Sequence, residues 1–408
     1  MSGMRLKDAV PKHTSALTGQ KWLDELLFGH AGRFKEQIGM SQHVFLRLSF
    51  ELQMYNGLCS TRGVTAHEKL ATLLHWARTG SRSRLLQERF QRSGETISKS
   101  IHTVLNCLTG SFYTKHVHLP PNSTPPEVKA TRKFYPYFRE CRGAIDGSHF
   151  SAWVPVASMP RYRNRKGFIG QNILAACNFA LIFVYVLSGW EGSAADSHIY
   201  NYARKADFAV PLGKYYLADA GFPLCDALMT PYRGVRYHLK EWGSANLRPR
   251  NYKELFNLRH AQLRNVVERI FGVLKRRWAI FTSGAPEYPV ETQAQLISAI
   301  CALHNFIRVY DEEDDGSVEE DLPNTTGTPS TGTPAGPTPT RRDSSLHDLM
   351  LNEPTEISAE ELGFTITQAE RNRASARRDA MAKHMWADYK AYMLTKGIVV
   401  REVAPVGE

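Results

Sequence analysis

The sequence predicts an α/β protein: an all-α N-terminal region, a mixed α/β domain, then a disordered linker leading to a C-terminal helix. Three observations carry this. Apolar residues recur at helical spacing as far as about Phe112, and the pattern changes to strands after Pro126. Pro120 to Pro126 (PPNSTPP) reads as a linker. Residues 311–345 are acidic and then rich in Thr, Pro and Gly, a composition too poor in apolar side chains to fold. The 408 residues are 42% hydrophobic and 22% charged, which excludes wholesale disorder, collagen and a coiled-coil rod.

Residues 1–20 read as a basic lead-in and 21–118 as a helical domain. Leu70, Leu73, Leu74 and Ala77 form one helix face, and the polar run Thr79 to Ser83, with Gly80 inside it, breaks the pattern. Arg84 to Phe90 is a short helix and Ser93–Gly94 a turn. Thr96 to Leu108 is a third helix with Ile97, Ile101, Val104, Leu105 and Leu108 at three-to-four spacing. That succession is the helix-turn-helix plan. Residues 61–110 hold eight Lys/Arg against three Glu. The third helix would show Ser98, Lys99, His102 and Thr103, which can reach phosphates or base edges. Arg92 and Lys99 are the expected DNA contacts; a solvated basic face is the ordinary alternative.

Residues 119–138 are expected to be a linker and 139–310 the α/β domain. Ala144 to Val156, Ile173 to Phe179, Leu181 to Leu187 and Lys214 to Ala218 read as strands. Ala194 to Ala206, Asn251 to Trp278 and Glu291 to Arg308 read as helices. Ile173 to Trp190 has no charge over 18 residues, the lower edge of a membrane span. Its β-branched and aromatic content, broken at Asn178, favours two buried strands and a tight turn instead, so no membrane partner is expected. Residues 311–350 form the acidic Thr/Pro-rich linker and 351–408 a basic tail. Its helix at 369–393 carries Arg371, Arg373, Arg377, Arg378 and Lys383, and either docks on a fold or contacts DNA.

The net charge is +11; residues 311–321 contribute −8, which leaves +19 on the rest. So basic a remainder suggests a polyanionic partner, most simply nucleic acid. The six cysteines are far apart, with no C-x-x-C, and fit reduced thiols of a cytosolic or nuclear protein. The N-terminus lacks the apolar core of a signal peptide.

Three acids stand where acids should be costly. Asp146 lies inside an apolar strand (GAIDGSHFSAWV), Asp219 ends a short strand (YYLAD), and Glu268 sits in an amphipathic helix (RNVVERIFGVLKRRW). Buried carboxylates tend to pair or to bind metal, and their oxygens suit Mg²⁺ or Mn²⁺. Two acids from adjacent strands and one from a covering helix can hold two ions about 4 Å apart, which suits phosphodiester cleavage. Singly, each acid has an ordinary reading: a turn, a helix cap, or an ion pair of Glu268 with Arg264. His260, Arg264 and Glu268 recur every four residues along one helix face; Arg264 could orient Glu268 or touch a phosphate. Lys275 and Arg276 continue a basic side. His149 reads as structural. Arg161, Arg163, Arg165 and Lys166 form a basic loop suited to a phosphate backbone. Asp196 opens a helix, as a cap or as a further acid near the metals.

The words RGAIDGSH (142–149), RNRKGFIGQNILAAC (163–177), GWEGSAADS (189–197), YLADAGFP (216–223), LRNVVERIFGVLKRRW (263–278) and ALHNFI (302–307) resemble the PIF/Harbinger transposase family, in its order. The region around ERFQRSGETIS (88–98) is also similar. The resemblance implies an RNase H-like catalytic domain with an Asp-Asp-Glu site in which Asp146, Asp219 and Glu268 match the catalytic and metal-binding acids, with two Mg²⁺ or Mn²⁺ ions. Asn178 departs from the Asp that members often carry.

The function so implied is a metal-dependent transposase and endonuclease that hydrolyses DNA at element ends and joins the 3′ end to target DNA. The alternatives are a host-adopted nuclease and an inert DNA-binding or scaffold protein. A Myb-like accessory protein, a homo-oligomer that pairs two DNA ends, and residence in the nucleus, or in the cytoplasm without the partner, are the further expectations.

Overall fold

A computed structural model describes residues 11–239, 242, 248–311, 366–400 and 402–403. The tract expected to be disordered lies outside the described residues from 312 onward, as do residues 1–10 of the basic lead-in. The chain packs as two compact units that interleave in sequence. The first takes Met1–Val117, Phe150–Gln171 and Val273–Asp315; the second takes His118–His149, Asn172–Gly272 and Gly316–Glu408.

The first unit is mostly helical: α1 (Gly19–Leu27), α2 (Ala31–Ile38), α3 (Gln42–Tyr55), α4 (Ala66–Thr79), α5 (Ser83–Phe90), α6 (Gly94–Thr109) and α7 (Ser111–His116). The predicted breaks are local chemistry. Gly80 caps α4 in the left-handed conformation that glycine adopts without strain, and the Ser93 hydroxyl accepts from the Thr96 amide to start α6. Leu70, Leu73, Leu74 and Ala77 are buried, as are Ile97, Ile101, Val104, Leu105 and Leu108. Arg92 pairs through Nε and Nη2 with both oxygens of Glu68, at 2.8 and 3.0 Å. Glu68 is 1% exposed. Lys99 is 75% exposed, beside Glu95, and His102 packs edge-on against Tyr288.

An unpaired buried carboxylate costs about 1–3 kcal/mol or more. Arg92→Ala is therefore expected to lower the unfolding free energy from urea titration by that amount, whereas Lys99→Ala, whose partner is equally exposed, should leave it within about 0.5 kcal/mol. Equal midpoints for the two variants would remove the structural role given to Arg92.

The second unit is built on a five-stranded sheet of order β3-β2-β1-β4-β5, with β1 (Cys141–Ser151), β2 (Gly170–Cys177), β3 (Phe183–Glu191), β4 (Tyr215–Leu217) and β5 (Leu228–Met229). The ends of β1 and β2 continue into segments of the first unit. β1 pairs parallel with β4, and β4 with β5. β2 and β3 are adjacent and joined by five residues, a connection only antiparallel strands allow. The sheet is thus mixed, as an RNase H-like domain requires. The uncharged stretch from Ile173 supplies β2 and β3, and no described helix is long and apolar enough to cross a membrane. Gly143 is fixed by strand packing: a Cβ there would stand 1.9 Å from the Cys177 carbonyl.

Helices α10 (Asp196–Ala206), α11 (Tyr252–Arg277), α12 (Val290–Tyr310) and α13 (Gln368–Thr395) follow, after the one-turn helices α8 (Pro126–Lys129) and α9 (Met159–Tyr162). The segment expected to be a linker carries α8, with Val128 buried. In the second unit Ile145, Leu174, Val184, Tyr200, Phe208, Tyr216, Phe222 and Ile366 share one core. The C-terminal helix docks on this unit: Arg204 pairs with Glu370 at 3.0 Å, and Tyr232 and Tyr137 donate to Asp379 and Asp388 at 2.6 Å. All six cysteines are free, five of them buried.

Candidate active site

The second unit places Asp146 on β1 and Asp219 just beyond the neighbouring strand β4. Glu268 lies on α11. The residue between them is Arg264, one helical turn before Glu268 and buried. Its Nη2 donates to Asp146 Oδ2 and its Nη1 to Glu268 Oε1, both at 2.6 Å. The sequence left Arg264 as a residue that orients Glu268 or touches a phosphate. The geometry shows the first, and adds Asp146, 118 residues away. Asp219 turns its Oδ1 to the Gly221 amide at 2.8 Å.

Burial pushes the Asp146 carboxyl up to about 6. Arg264 pulls against this, while Asp219 and Asp196 add repulsion. Burial alone would lower the Arg264 guanidinium, but Asp146, Tyr237, Glu268 and Asp219 more than reverse it and hold the charge in place. Burial also pushes the Tyr237 hydroxyl up to about 12. Its oxygen lies 3.2 Å from His260 Nδ1, and His260 Nε2 lies 2.9 Å from the Met229 carbonyl. Burial drives the His260 ring down to about 3, so it is a neutral support behind Arg264.

Asp196 is a residue whose place the sequence left open. It is not a helix cap: the cap position of α10 is Ala195, and no side chain bonds there. Its Oδ1 accepts instead from Asn172 Nδ2 at 2.7 Å. A Cβ on Gly147 would stand 2.1 Å from that oxygen, so Asp196 rests on the strand right beside Asp146, as a fourth acid. The residue after Asp146 has to be glycine for this approach. Asn178 has a separate job: its Oδ1 accepts from the amides of Ala180 and Ile182, both at 3.0 Å, and closes the β2–β3 turn. An Asp would do the same, so the departure at Asn178 bears on the turn.

The donor chemistry fits a hard divalent cation. Carboxylate oxygens are what Mg²⁺ and Mn²⁺ prefer, and burial with the like charges of Asp219 and Asp196 keeps Asp146 raised even with Arg264 beside it. Among the described residues, however, no three of His, Cys, Asp and Glu stand as a group that could hold an ion. Arg264 takes up part of the positive role instead.

The remaining residues expected to meet DNA belong to the first unit. Arg92 is committed to Glu68, and Lys99 is exposed. Arg161 is exposed on α9, and Arg163, Arg165 and Lys166 are exposed on the turn after it, which Asn164 closes by accepting from the Lys166 and Phe168 amides. Lys275 lies over the Phe150 ring at 4.5 Å, and Arg276 is exposed.

Two family models match the chain. Residues 14–110 match a domain of unknown function (DUF8040), and residues 145–305 match the DDE superfamily endonucleases. The second range contains Asp146, Asp196, Asp219, Arg264 and Glu268. Among curated relatives, a "Protein ALP1-like" of Arabidopsis thaliana is 26% identical over 209 residues, covering 47% of this chain and 48% of that protein. The match thus spans about half the length of that relative. No solved structure matches.

Proposed function

We propose that this chain, a Harbinger-type DDE transposase-like protein, is a divalent-metal-dependent DNA endonuclease that hydrolyses phosphodiester bonds at element ends and transfers the 3′ end to target DNA. One observation carries the reading: Asp146 on β1, Asp219 just beyond β4 and Glu268 on α11 converge electrostatically on Arg264, with Asp146 raised to about 6. Asp146, Asp219 and Glu268 would hold the ions, two Mg²⁺ or Mn²⁺, with Asp196 beside them. Bound there, the cations supply the Lewis acidity that phosphodiester cleavage needs. The chain's own residues do the positioning. Arg264 sets the Asp146 and Glu268 carboxylates, Asn172 holds Asp196, and the His260–Tyr237 pair backs Arg264. DNA ends and target, a Myb-like accessory protein, a homo-oligomer that pairs two ends, and a nuclear location belong to the same proposal.

A second reading is a host-adopted DNA-binding or scaffold protein without catalysis. It is favoured by the way Arg264 already neutralises Asp146 and Glu268. Cleavage of duplexes bearing candidate element ends separates the two. With Mg²⁺ or Mn²⁺ the full chain should cut, and EDTA should remove the cutting. Cutting that persists in EDTA would overturn the metal-dependent reading. DNA binding without cleavage, with a Myb-like partner supplied, would select the scaffold.

A further inference from the structure

The C-terminal helix does more than dock. With the loop that follows Asp219, its first turns enclose a cleft of about 550 Å³ in the second unit. The inner edge of the cleft touches the acids' own neighbours: Ser197 follows Asp196, and Gly221 is the residue whose amide holds Asp219. Three arginines line it, Arg233, Arg371 and Arg378, and no carboxylate among the described residues does.

The arginines are not equivalent. Arg378 is part of the wall: its Nη1 donates to the Thr230 and Pro231 carbonyls, and its guanidinium stacks 4.1 Å from the Tyr232 ring centre. Between Arg371 and Arg378 on the helix, Arg373 and Arg377 are fixed to Asp226. Arg233 is exposed and held by one bond to the Ala220 carbonyl at 2.7 Å. Arg371 is exposed and makes no ion pair or side-chain hydrogen bond among the described residues. Two exposed guanidiniums therefore face a cleft that has no acid to pair with them. A guanidinium presents a planar fork of donors that matches a phosphate.

We infer that this cleft carries the sugar-phosphate backbone of the DNA strand that leads to the acids, with Arg233 and Arg371 on its phosphates. The cleft lies within the range of small-molecule sites, about 300–1,000 Å³. It takes a short stretch of one strand, not a duplex. Pro223 and Leu224, partly exposed over the buried Phe222, give it an apolar floor on which sugars and bases can rest. The direction of the strand rests on the proposed nuclease reading; the phosphate contacts do not.

The test is anisotropy of a fluorescein-labelled, mixed-sequence single-stranded DNA oligonucleotide with the full-length chain in EDTA, over a salt titration. Each phosphate contact contributes about 0.7 to the slope of log affinity against log salt for single strands. Arg233→Ala with Arg371→Ala should weaken binding about tenfold or more at low salt and flatten the slope by about 1.4. Arg233→Lys with Arg371→Lys should recover the slope, because the charge is kept. Lys21→Ala with Arg33→Ala, an equal charge change in the first unit, should alter neither. Wild-type affinity and slope in the Arg233/Arg371 pair, or an equal loss in the control pair, would overturn the inference. Cleavage is scored separately. If wild-type chain cuts while the Ala pair binds normally, the cleft fails and the nuclease stands. If the pair loses binding but the wild-type chain cuts no duplex bearing element ends with Mg²⁺ and a Myb-like partner supplied, the nuclease fails and the cleft stands.

Discussion

Asp146→Asn is expected to lower metal-dependent DNA cleavage by at least about a hundredfold while leaving DNA binding unchanged, and at pH 7.5 to make the fold no less stable. The first half follows from charge. Asn keeps the shape of the side chain but cannot supply a carboxylate to a cation, and a hundredfold loss corresponds to only about 2.7 kcal/mol of transition-state stabilisation. The second half follows from the folded environment. Asp146 is raised from the ordinary carboxyl value of 3.8 to about 6, first by burial. A group raised in this way binds its proton more tightly in the native chain than in the unfolded one. Its contribution to stability is full below pH 3.8 and is lost as pH rises through about 6. That displacement is worth up to about 3 kcal/mol. At pH 7.5 the wild type carries the cost of ionised Asp146 and Asn does not, so the variant's unfolding free energy in urea should be higher, by about 1–3 kcal/mol. At pH 4 the two should converge. Cleavage retained by the variant would remove Asp146 from the site. A variant less stable than wild type at pH 7.5 would show that the Arg264 pair outweighs the burial cost.

Asp146 was legible in sequence for the reason that makes it costly in structure, whereas Glu268, expected to be costly too, is 58% exposed. A charge inside GAIDGSHF or YYLAD interrupts an apolar strand, and the eye finds it. Arg264 was half legible. Its place four residues before Glu268 shows one contact, but the contact with Asp146 depends on how β1 lies under α11. Asp196 was left open between a cap and a further acid because local sequence shows a helix start and not how close the side chain comes to Gly147 on the strand. β5 has two residues, too few for any periodicity. Arg92 read as a DNA contact because its partner, Glu68, is 24 residues away on another helix. The C-terminal helix could not be placed because its anchors, Glu370, Asp379 and Asp388, look like ordinary solvated charges until Arg204, Tyr232 and Tyr137 are seen to meet them.

Arg264→Ala is expected to have the largest effect on stability and to show directly whether a cation belongs at this site. The guanidinium is almost fully buried and joins a mostly buried Asp146 to Glu268. Removing one partner of a buried pair costs about 3–5 kcal/mol, because the other charge is left uncompensated. Glu268, 58% exposed, adds little to this, since water screens it. For a domain of about 150–250 residues each kcal/mol moves the midpoint by about 2–4 °C, so melting should fall by about 10 °C in EDTA. The loss should be smaller near pH 5, where Asp146 can take up a proton. If Asp146, Asp219 and Glu268 hold divalent cations, the variant leaves them with three or four carboxylates and no counter-charge, and Mn²⁺ binding becomes more favourable than in wild type. Ligand binding to the native state alone raises its stability. Millimolar Mn²⁺ should then lift the melting temperature of Arg264→Ala more than that of wild type, and Arg264→Ala with Asp146→Asn should lose that gain. A melting temperature lowered in EDTA and left unmoved by Mn²⁺ would mean that Arg264 is the only positive charge the acids were built around, and the inert reading would stand.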